Sequence, residues 1–240
     1  MIESEHRIVS AALGNARTLW VERPAAATPV RAWLVVLDGE FYRAGVGARA
    51  TLGALRAEGR LAATAVVYVS NVDLPTRSRE CPCHDPFAVF LAEELAAWWA
   101  ATFPTDGVPR HRVLVGLSYT GLAAAFVALR YPLLFDRVIA QSGSFWWNEA
   151  WLADAYAHAP EPSATQFWLE VGQRETATNV AHANGAFQRL SQIEGVGRFR
   201  DELARRGQAC RYTTFDGGHD FRAWAKTLPQ ALRWAGDVLP

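Results

Sequence analysis

The stretch that most constrains the fold runs from Arg112 to Tyr131. It begins with a short apolar run rich in Val and Leu, turns through a segment that carries Ser118, and continues as an Ala-rich segment. This order predicts a buried strand, a tight turn and a helix. A serine in such a strand-to-helix turn has its hydroxyl exposed at the edge of the sheet, where it can act as a nucleophile.

The turn departs from the Gly-x-Ser-x-Gly pattern that usually surrounds such a serine. Gly116 precedes Ser118 at the expected spacing, but Thr120 occupies the place of the second glycine and Gly121 follows it. Threonine is β-branched but moderate in size, so we expect the turn to form with altered packing. On this basis we also expect Thr120→Gly to be tolerated.

Composition narrows the classes of protein. The chain has 240 residues, half of them hydrophobic, and its 24 basic residues equal its 24 acidic ones. A zero formal charge and the lack of a long basic run argue against nucleic-acid binding. The polar, mixed-charge start and the absence of an apolar run of about 18 residues predict a protein without a signal peptide or membrane association, located in the cytoplasm.

The order of predicted elements indicates the fold class. Two β-like runs around Gly14-Asn15 predict a hairpin, and later buried strands alternate with helical segments. This favours an α/β fold with a mostly parallel sheet, an antiparallel N-terminal edge and helices on both faces. Three local expectations follow: a polar loop over 71–85, a mostly helical segment over 180–206 broken near Gly195 and Gly197, and a last helix interrupted at Pro229.

Polar residues follow the predicted strands where an open α/β sheet places its site. Ser118 comes first, Glu175 follows the strand that ends near Val171, and His219 follows the last strand. This is the Ser, acid, His order of α/β hydrolases, with Ser118 as nucleophile, His219 as base and Glu175 as acid. Two alternatives for the acid stay open: an aspartate flanking His219 (Asp216 or Asp220), or a serine–histidine pair without a strong acid.

Ester chemistry also needs backbone N–H groups that stabilise the negative oxygen of the intermediate. Tyr119, directly after the serine, is predicted to supply one. The loop after Leu37 is predicted to supply the other from Glu40, with Gly39 allowing a close approach.

The sequence predicts no metal and no cofactor. Cys81-Pro82-Cys83-His84 has some metal-binding character, but no second Cys/His pair with zinc spacing occurs. An odd number of cysteines without a signal peptide favours reduced thiols.

Several segments together resemble the enterochelin (ferric enterobactin) esterase family, in the esterase D-like branch of the α/β hydrolases. They cover roughly residues 30 to 235 and comprise Leu37–Phe41, Arg77–Glu80 with Pro82-Cys83, Gly116–Tyr119, Gln141–Trp147, Leu169–Glu175 and Asp216–Asp220. The resemblance implies an α/β-hydrolase fold with Ser118 as nucleophile and His219 as base, and it places an acidic position at Glu175.

The chain departs from this family at three points. Thr120 replaces a glycine of the Gly-x-Ser-x-Gly-Gly pattern, and His84 stands where an asparagine often follows Pro-Cys. Only a short hairpin precedes the first core strand, whereas the family commonly carries an additional N-terminal β-domain. We therefore expect residues 1–240 to form a single α/β-hydrolase domain without that separate siderophore-esterase β-domain.

The leading interpretation is a serine carboxyl-ester hydrolase that forms an acyl-enzyme on a small-molecule ester. Siderophore-type esters and other aromatic or hydroxy-acid esters are both compatible, and the oligomeric state is not identified. Arg77, with Arg79, is predicted to bind an anionic substrate, against the alternative of a solvated loop. Trp146 and Trp147 are predicted to line a substrate pocket, against the alternative of packing beneath it. An acyltransferase and a non-catalytic binding protein with the same fold stay open.

Overall fold

The computed structural model describes residues 1–25, 28–160, 162–236 and 238–239. Within these ranges the strands are β1 (Ile2–Ser10), β2 (Asn15–Arg23), β3 (Ala32–Val36), β4 (Thr64–Val69), β5 (His111–Leu117), β6 (Arg137–Gln141), β7 (Gln166–Gly172), β8 (Val180–Ala181), β9 (Phe187–Gln188) and β10 (Cys210–Phe215). The helices are α1 (Ala48–Ala57), α2 (Leu74–Glu80), α3 (Asp85–Val89), α4 (Leu95–Thr102), α5 (Tyr119–Arg130), α6 (Trp147–Ala157), α7 (Gln192–Arg205) and α8 (Phe221–Trp234), with π-helical turns at Phe41–Gly45 and Phe90–Glu94.

Eight of the described strands form one sheet in the order β1-β2-β4-β3-β5-β6-β7-β10. The β1–β2 hairpin and the β2–β4 pair are antiparallel, and every other pair from β4 to β10 is parallel. The predicted α/β fold with an antiparallel N-terminal edge is confirmed. Because β3, β5, β6, β7 and β10 run in the same direction, the loops that follow them meet at one edge of the sheet.

Strand β3 shows why the centre of the sheet is buried on both faces. Trp33 and Val35 pack into one hydrophobic cluster with residues of α3 to α7. Leu34 and Val36 point to the other face, where α1 and α8 cover them. Successive side chains of a strand point to opposite faces, so a continuous apolar run fits a strand that lies between two helical layers.

The structure corrects the expectation of a polar loop over 71–85, because this stretch contains α2. Asp73 caps the helix, and its carboxylate accepts a hydrogen bond from the Thr76 N–H at 2.7 Å. Pro75 lies in the first turn, where its missing N–H costs nothing. The helix therefore has a cap and a proline start that the polar character of the segment obscured.

The expectation of a broken helical segment over 180–206 was wrong in two ways. Strands β8 and β9 form a small antiparallel hairpin, and α7 then runs without a break through Gly195 and Gly197. Ser191 starts α7 with a reciprocal capping box to Glu194. Likewise α8 is continuous, with Pro229 inside it.

Candidate active site

Ser118 lies in a strained turn between β5 and α5. Its φ of 52° and ψ of −122° are rare for a residue with a side chain, so surrounding contacts must hold this conformation. The Ser118 N–H donates to the carbonyl of Gln141 at 3.0 Å. Gly116 is required because a Cβ at that position would collide with the Thr120 carbonyl. The turn presents the serine hydroxyl at the carboxyl edge of the sheet.

Three predicted residues form one hydrogen-bonded chain. The Ser118 Oγ lies 3.0 Å from the His219 Nε2, and the His219 Nδ1 lies 2.6 Å from the Glu175 Oε2. The Glu175 side chain is buried, and its Oε1 accepts hydrogen bonds from the Gly172 N–H at 2.7 Å and the Ser142 hydroxyl at 2.6 Å. The carboxylate is therefore fixed on both oxygens, with one of them facing the histidine.

The aspartates that flank His219 have other partners. Asp216 forms an exposed ion pair with Arg174 at 2.7 Å. Asp220 caps α8, accepting a hydrogen bond from the Ala223 N–H at 3.0 Å. Of the three acidic candidates, the structure places Glu175 against the imidazole.

A second buried carboxylate, that of Asp38, organises the loops around the serine. Its Oδ1 accepts from the Asn71 Nδ2 and the Arg77 Nε, both at 2.7 Å. Its Oδ2 lies 2.7 Å from the Arg77 Nη2 and 2.8 Å from the Thr120 hydroxyl. Asp38 itself has a φ of 54°, and these partners come from the loop after β4, from α2 and from the start of α5. One carboxylate thus ties four segments together.

This arrangement changes the interpretation of Arg77. The side chain lines the cavity at the serine, but its guanidinium is committed to Asp38 by two hydrogen bonds. Burial by itself lowers the pKa of Arg77, but the Asp38 carboxylate raises it, and the net pKa lies above the ordinary value. The charge of Arg77 is therefore balanced within the protein, and the prediction that Arg77 binds an anionic substrate stays a prediction. Arg79 is exposed at the same wall, and its Nη2 donates to the Thr76 hydroxyl at 3.3 Å.

Thr120 also has a role that its sequence position did not reveal. Its fully buried hydroxyl lies 2.8 Å from Asp38 and accepts a hydrogen bond from the Leu117 N–H at 2.9 Å. A glycine at this position would lose both contacts. From the structure we therefore predict that Thr120→Gly is destabilising, contrary to the expectation from the sequence.

The predicted oxyanion donors lie at two helix starts. Tyr119 is the first residue of α5, and Glu40 caps the π-helical turn that follows the Asp38 loop. The N–H groups of Phe41 and Tyr42 donate to the Asp38 carbonyl. Among the described residues no backbone acceptor faces the N–H of Glu40 or Tyr119, as expected for the first donors of a helix. The Glu40 N–H instead lies near the carboxylate of its own side chain.

The backbone of Gly39 packs closely against side chains of the protein core. A Cβ on Gly39 would lie 2.9 Å from the Tyr68 Cβ and 3.2 Å from the Trp20 ring. The glycine therefore lets the loop pack against β2 and β4. The Glu40 side chain also faces this way and accepts from the Asn71 N–H at 2.9 Å, and burial raises its pKa.

A cavity of about 950 Å³ opens over the serine and histidine. Ligand sites commonly have volumes of about 300–1,000 Å³, so a small molecule fits. Its lining residues come from α2, the turn after β6, the β8–β9 hairpin and the loops that carry Ser118, Glu175 and His219: Leu74, Pro75, Arg77, Ser78, Arg79, Ser118, Tyr119, Ser144, Trp146, Arg174, Glu175, Ala177, Val180, His182, Ala183, Asn184, Gln188, Gln192 and His219.

The two adjacent tryptophans, Trp146 and Trp147, have different surroundings. Trp146 lines it, stacks on His182 with ring centroids 5.0 Å apart, and donates from Nε1 to the Gln192 Oε1 at 2.7 Å. Trp147 packs instead against the hydrophobic cluster below and is absent from the cavity lining among the described residues. Consecutive residues at a helix start point in different directions, so the prediction that both line the pocket applies to Trp146 alone.

Sequence reasoning missed several site residues. Ser142 and Ser144 contact Glu175 and Ser118, and they belong to the Gln141–Trp147 segment that carries part of the family resemblance. His182 and Asn184 reach the cavity from the β8–β9 hairpin, and the Asn184 Nδ2 donates to the Tyr119 hydroxyl at 3.1 Å. These short strands carry no periodic sequence signal.

A buried polar network supports the site from below. The Glu170 carboxylate accepts from the Gln141 Nε2 and the Trp168 Nε1, both at 2.8 Å. Gln141 in turn accepts from the Tyr42 hydroxyl at 2.9 Å. Burial raises the pKa of Glu170, although these hydrogen bonds counteract the rise. The network joins β6, β7 and the loop after β3.

Other side-chain chemistry is sparse. Cys81, Cys83 and Cys210 are free thiols. Across the described ranges no group of three or more His, Cys, Asp or Glu side chains is arranged to hold a metal ion. In the same ranges no helix is both long enough and apolar enough to cross a bilayer.

Comparison with known proteins identifies the family. The Esterase family model, described as "Putative esterase", matches residues 10–235. The chain belongs to this family. It is 30% identical over 230 residues to the iron(III) enterobactin esterase of Dickeya dadantii, covering 92% of this chain and 52% of that protein. The resemblance to enterochelin esterases that the sequence segments indicated is confirmed.

Solved structures agree with the family assignment. The enterobactin esterase FES from Shigella flexneri, crystallised in the presence of enterobactin, superposes with a TM-score of 0.82 at 26% identity, covering 99% of this chain and 59% of that chain. The siderophore hydrolase EstB from Aspergillus nidulans has a TM-score of 0.74 at 17% identity over 100% of this chain and 97% of that chain, a likeness that shows the fold alone. The fold is therefore that of the α/β-hydrolase esterases.

The chain spans about half the length of the curated relative that it matches. The expectation of a single domain over residues 1–240, without a separate β-domain, stays a prediction.

Proposed function

We propose that the chain is a serine carboxyl-ester hydrolase that acts through an acyl-enzyme. The observation that carries this proposal is the hydrogen-bonded chain of Ser118, His219 and Glu175, with the serine hydroxyl 3.0 Å from the imidazole Nε2 and the carboxylate 2.6 Å from Nδ1. This geometry activates a hydroxyl that is otherwise a weak nucleophile. The cavity above it offers space for the ester.

In the acylation step the Ser118 Oγ attacks the ester carbonyl carbon while His219 takes the hydroxyl proton. Glu175 holds the imidazole tautomer and stabilises its charged form. The carbonyl oxygen becomes negative and accepts hydrogen bonds from the backbone N–H groups of Tyr119 and Glu40. When the intermediate collapses, the C–O bond to the alcohol breaks and His219 donates the proton to the leaving oxygen.

Deacylation repeats these steps with water. His219 removes a proton from a water molecule, the resulting oxygen attacks the acyl carbon, and the bond to the Ser118 Oγ breaks as the proton returns to the serine. The products are a carboxylic acid and an alcohol.

We propose a siderophore-type ester as the substrate class. The support comes from the name of the Dickeya dadantii relative, an iron(III) enterobactin esterase, and from a cavity large enough for part of such a molecule. Arg79, which is exposed and lines the cavity, adds positive charge there, which suits an anionic ligand.

The hydrolase proposal is tested by turnover of p-nitrophenyl acetate. Ser118→Ala should reduce the release of p-nitrophenol to the rate of the buffer, because the nucleophile is gone. Ser4→Ala, a hydroxyl deletion on the edge strand β1, is the control and should retain wild-type turnover. Hydrolysis by Ser118→Ala at the wild-type rate would show that another group performs the chemistry.

The substrate class needs its own assay. Wild-type protein should cleave enterobactin, with or without iron, as followed by chromatography of the products, and Ser118→Ala should not. If p-nitrophenyl acetate is cleaved while both forms of enterobactin stay intact, the hydrolase proposal stands and the substrate class is wrong.

A further inference from the structure

The turn of Ser142, Gly143 and Ser144 follows β6 and lies between the two ends of the hydrogen-bonded chain. At one end the Ser142 hydroxyl donates to the Glu175 Oε1 at 2.6 Å and accepts from the Trp224 Nε1 at 3.0 Å. At the other end the Ser144 Oγ lies 3.3 Å from the Ser118 Oγ. Both serines are buried. One three-residue turn therefore contacts both the acid and the nucleophile.

The direction of these hydrogen bonds follows from the carboxylate. Glu175 accepts only, so its 2.6 Å contact assigns the ring proton of His219 to Nδ1. The neutral ring then accepts at Nε2, so the Ser118 hydroxyl donates to it. Ser118 is left as the acceptor toward Ser144, whose hydroxyl donates. The Ser144 O–H thus favours the Ser118 rotamer in which the nucleophile's proton points at the base.

The backbone of the turn is held rigidly enough to serve this purpose. Ser142 has a φ of 45°, a strained value for a residue with a side chain. The Gln192 Nε2 donates to the carbonyls of Ser142 and Gly143 at 2.5 and 2.7 Å, and the Ser144 N–H donates to the Ser118 carbonyl at 3.0 Å. A Cβ on Gly121 would lie 3.0 Å from the Gly143 Cα, so the turn rests directly on α5.

We propose that Ser142 and Ser144 are positioning residues: Ser144 aims the Ser118 hydroxyl at His219, and Ser142 fixes Glu175 against the same imidazole. This inference rests on the proposed hydrolase function. Neither serine forms or breaks a covalent bond with the substrate. Ser144 acts through Ser118, and Ser142 acts through Glu175. The Ser144 contact matters most before the nucleophile reacts, because the Ser118 oxygen of the acyl-enzyme is an ester oxygen and a poorer acceptor.

The test compares acylation with deacylation. In labelling by a fluorophosphonate, the Ser118 Oγ bonds to phosphorus while His219 takes the hydroxyl proton, the P–F bond breaks and fluoride leaves. The labelling rate therefore reports the first step alone. Ser144→Ala should slow this labelling about 3- to 10-fold, the effect of one neutral hydrogen bond. It should slow the p-nitrophenol burst by a similar factor and the subsequent steady-state rate by less. Ser144→Cys keeps a side chain of the same connectivity, although the thiol is larger than the hydroxyl, and donates only weakly, so it should behave like Ser144→Ala.

Ser10→Ala is the matched control. Its hydroxyl is also buried, and it donates to Glu94 at the far hairpin edge of the sheet. This variant should lower the melting temperature without slowing labelling. The proposal is overturned if Ser144→Ala labels at the wild-type rate, or if Ser10→Ala slows labelling as much. A wild-type protein that is not labelled at all contradicts the hydrolase function itself.

Ser142 requires a readout at the histidine. The Nδ1 proton between His219 and Glu175 should give a far-downfield proton NMR signal, identified by its loss in His219→Ala. Ser142→Ala should shift or broaden this signal, because Glu175 loses one of its fixed donors, and Ser10→Ala should leave it in place. An unchanged signal in Ser142→Ala contradicts the role of Ser142.

Discussion

Asp38→Asn tests whether one buried carboxylate holds the loops of the site. The substitution keeps the shape of the side chain, and asparagine tolerates the left-handed backbone found here, with its φ of 54°. It removes the negative charge that faces Arg77. Any loss of stability therefore reports the charge and hydrogen bonding of this residue and not its packing volume.

The expected size of the effect follows from burial. The Asp38 side chain is 0% exposed and that of Arg77 is 11% exposed. Removing one partner of a buried ion pair costs about 3–5 kcal/mol, because the other charge is left without compensation. Since Arg77 retains some access to the cavity, we expect the lower end, about 3 kcal/mol of unfolding free energy. For a chain of this size that corresponds to a fall in melting temperature of about 6–12 °C.

The assay is denaturant unfolding of wild type, Asp38→Asn, Arg77→Met, the double variant of both positions and a control. Glu3→Gln is the control, because its pair with Arg49 is about half exposed on both sides, at 54% and 47%, and should change stability by less than about 1 kcal/mol. In the double variant Asp38→Asn/Arg77→Met neither charge remains buried alone, so its loss should be smaller than the sum of the single losses. A loss in Asp38→Asn no larger than that in Glu3→Gln would refute the assigned role.

Three further predictions concern single residues. Thr120→Gly should lower the free energy of unfolding by about 2 kcal/mol, because it removes the hydroxyl contacts to Asp38 and Leu117 and places a glycine in a helix. Thr120→Ser should lose under half as much. Equal stability of Thr120→Gly and wild type in denaturant unfolding contradicts this. Glu175→Gln should lower kcat for p-nitrophenyl acetate by about 10²- to 10⁴-fold, while Asp216→Asn, an exposed neighbour of the histidine, should change it less than about 3-fold; the reverse ranking would reassign the acid. Burial raises the pKa of Glu170, so the folded state binds its proton more tightly than the unfolded state. The contribution of Glu170 to stability therefore falls as pH rises from the ordinary value of 4.5 to the folded pKa. The stability of Glu170→Gln relative to wild type should rise as pH increases above 4.5, and a difference that is flat with pH contradicts the shift.

The sequence predicted the parts of the fold that have a strong local signal. The strand, turn and helix around Ser118 combine an apolar run, glycines and an Ala-rich segment, and the alternation of elements indicates a parallel sheet. Helix α2 was not predicted because it is short and polar, which obscured the helix cap at Asp73. The hairpin of β8 and β9 was not predicted because strands of two residues are too short to show an alternating hydrophobic pattern.

Long-range contacts explain the remaining differences. Gly195 suggested a helix break, but a Cβ there would lie 2.5 Å from the Trp146 N, so the glycine serves the packing of α7 against the site. The ion pair of Arg77 with Asp38 was not predicted because the two residues lie 39 positions apart in the sequence. The order of Ser118, Glu175 and His219 was readable from the chain, but the serines between them were not, since their role depends on the distances to Glu175 and Ser118.

The most direct test of the central claim is the mass of the protein during turnover. Wild-type protein mixed with p-nitrophenyl acetate and quenched in acid within the burst phase should gain the mass of one acetyl group, and peptide mapping should place that group on Ser118. His219→Ala and Glu175→Gln should accumulate it far more slowly. An acetyl group on a different residue, or turnover with no acylated protein at any quench time, would contradict the account.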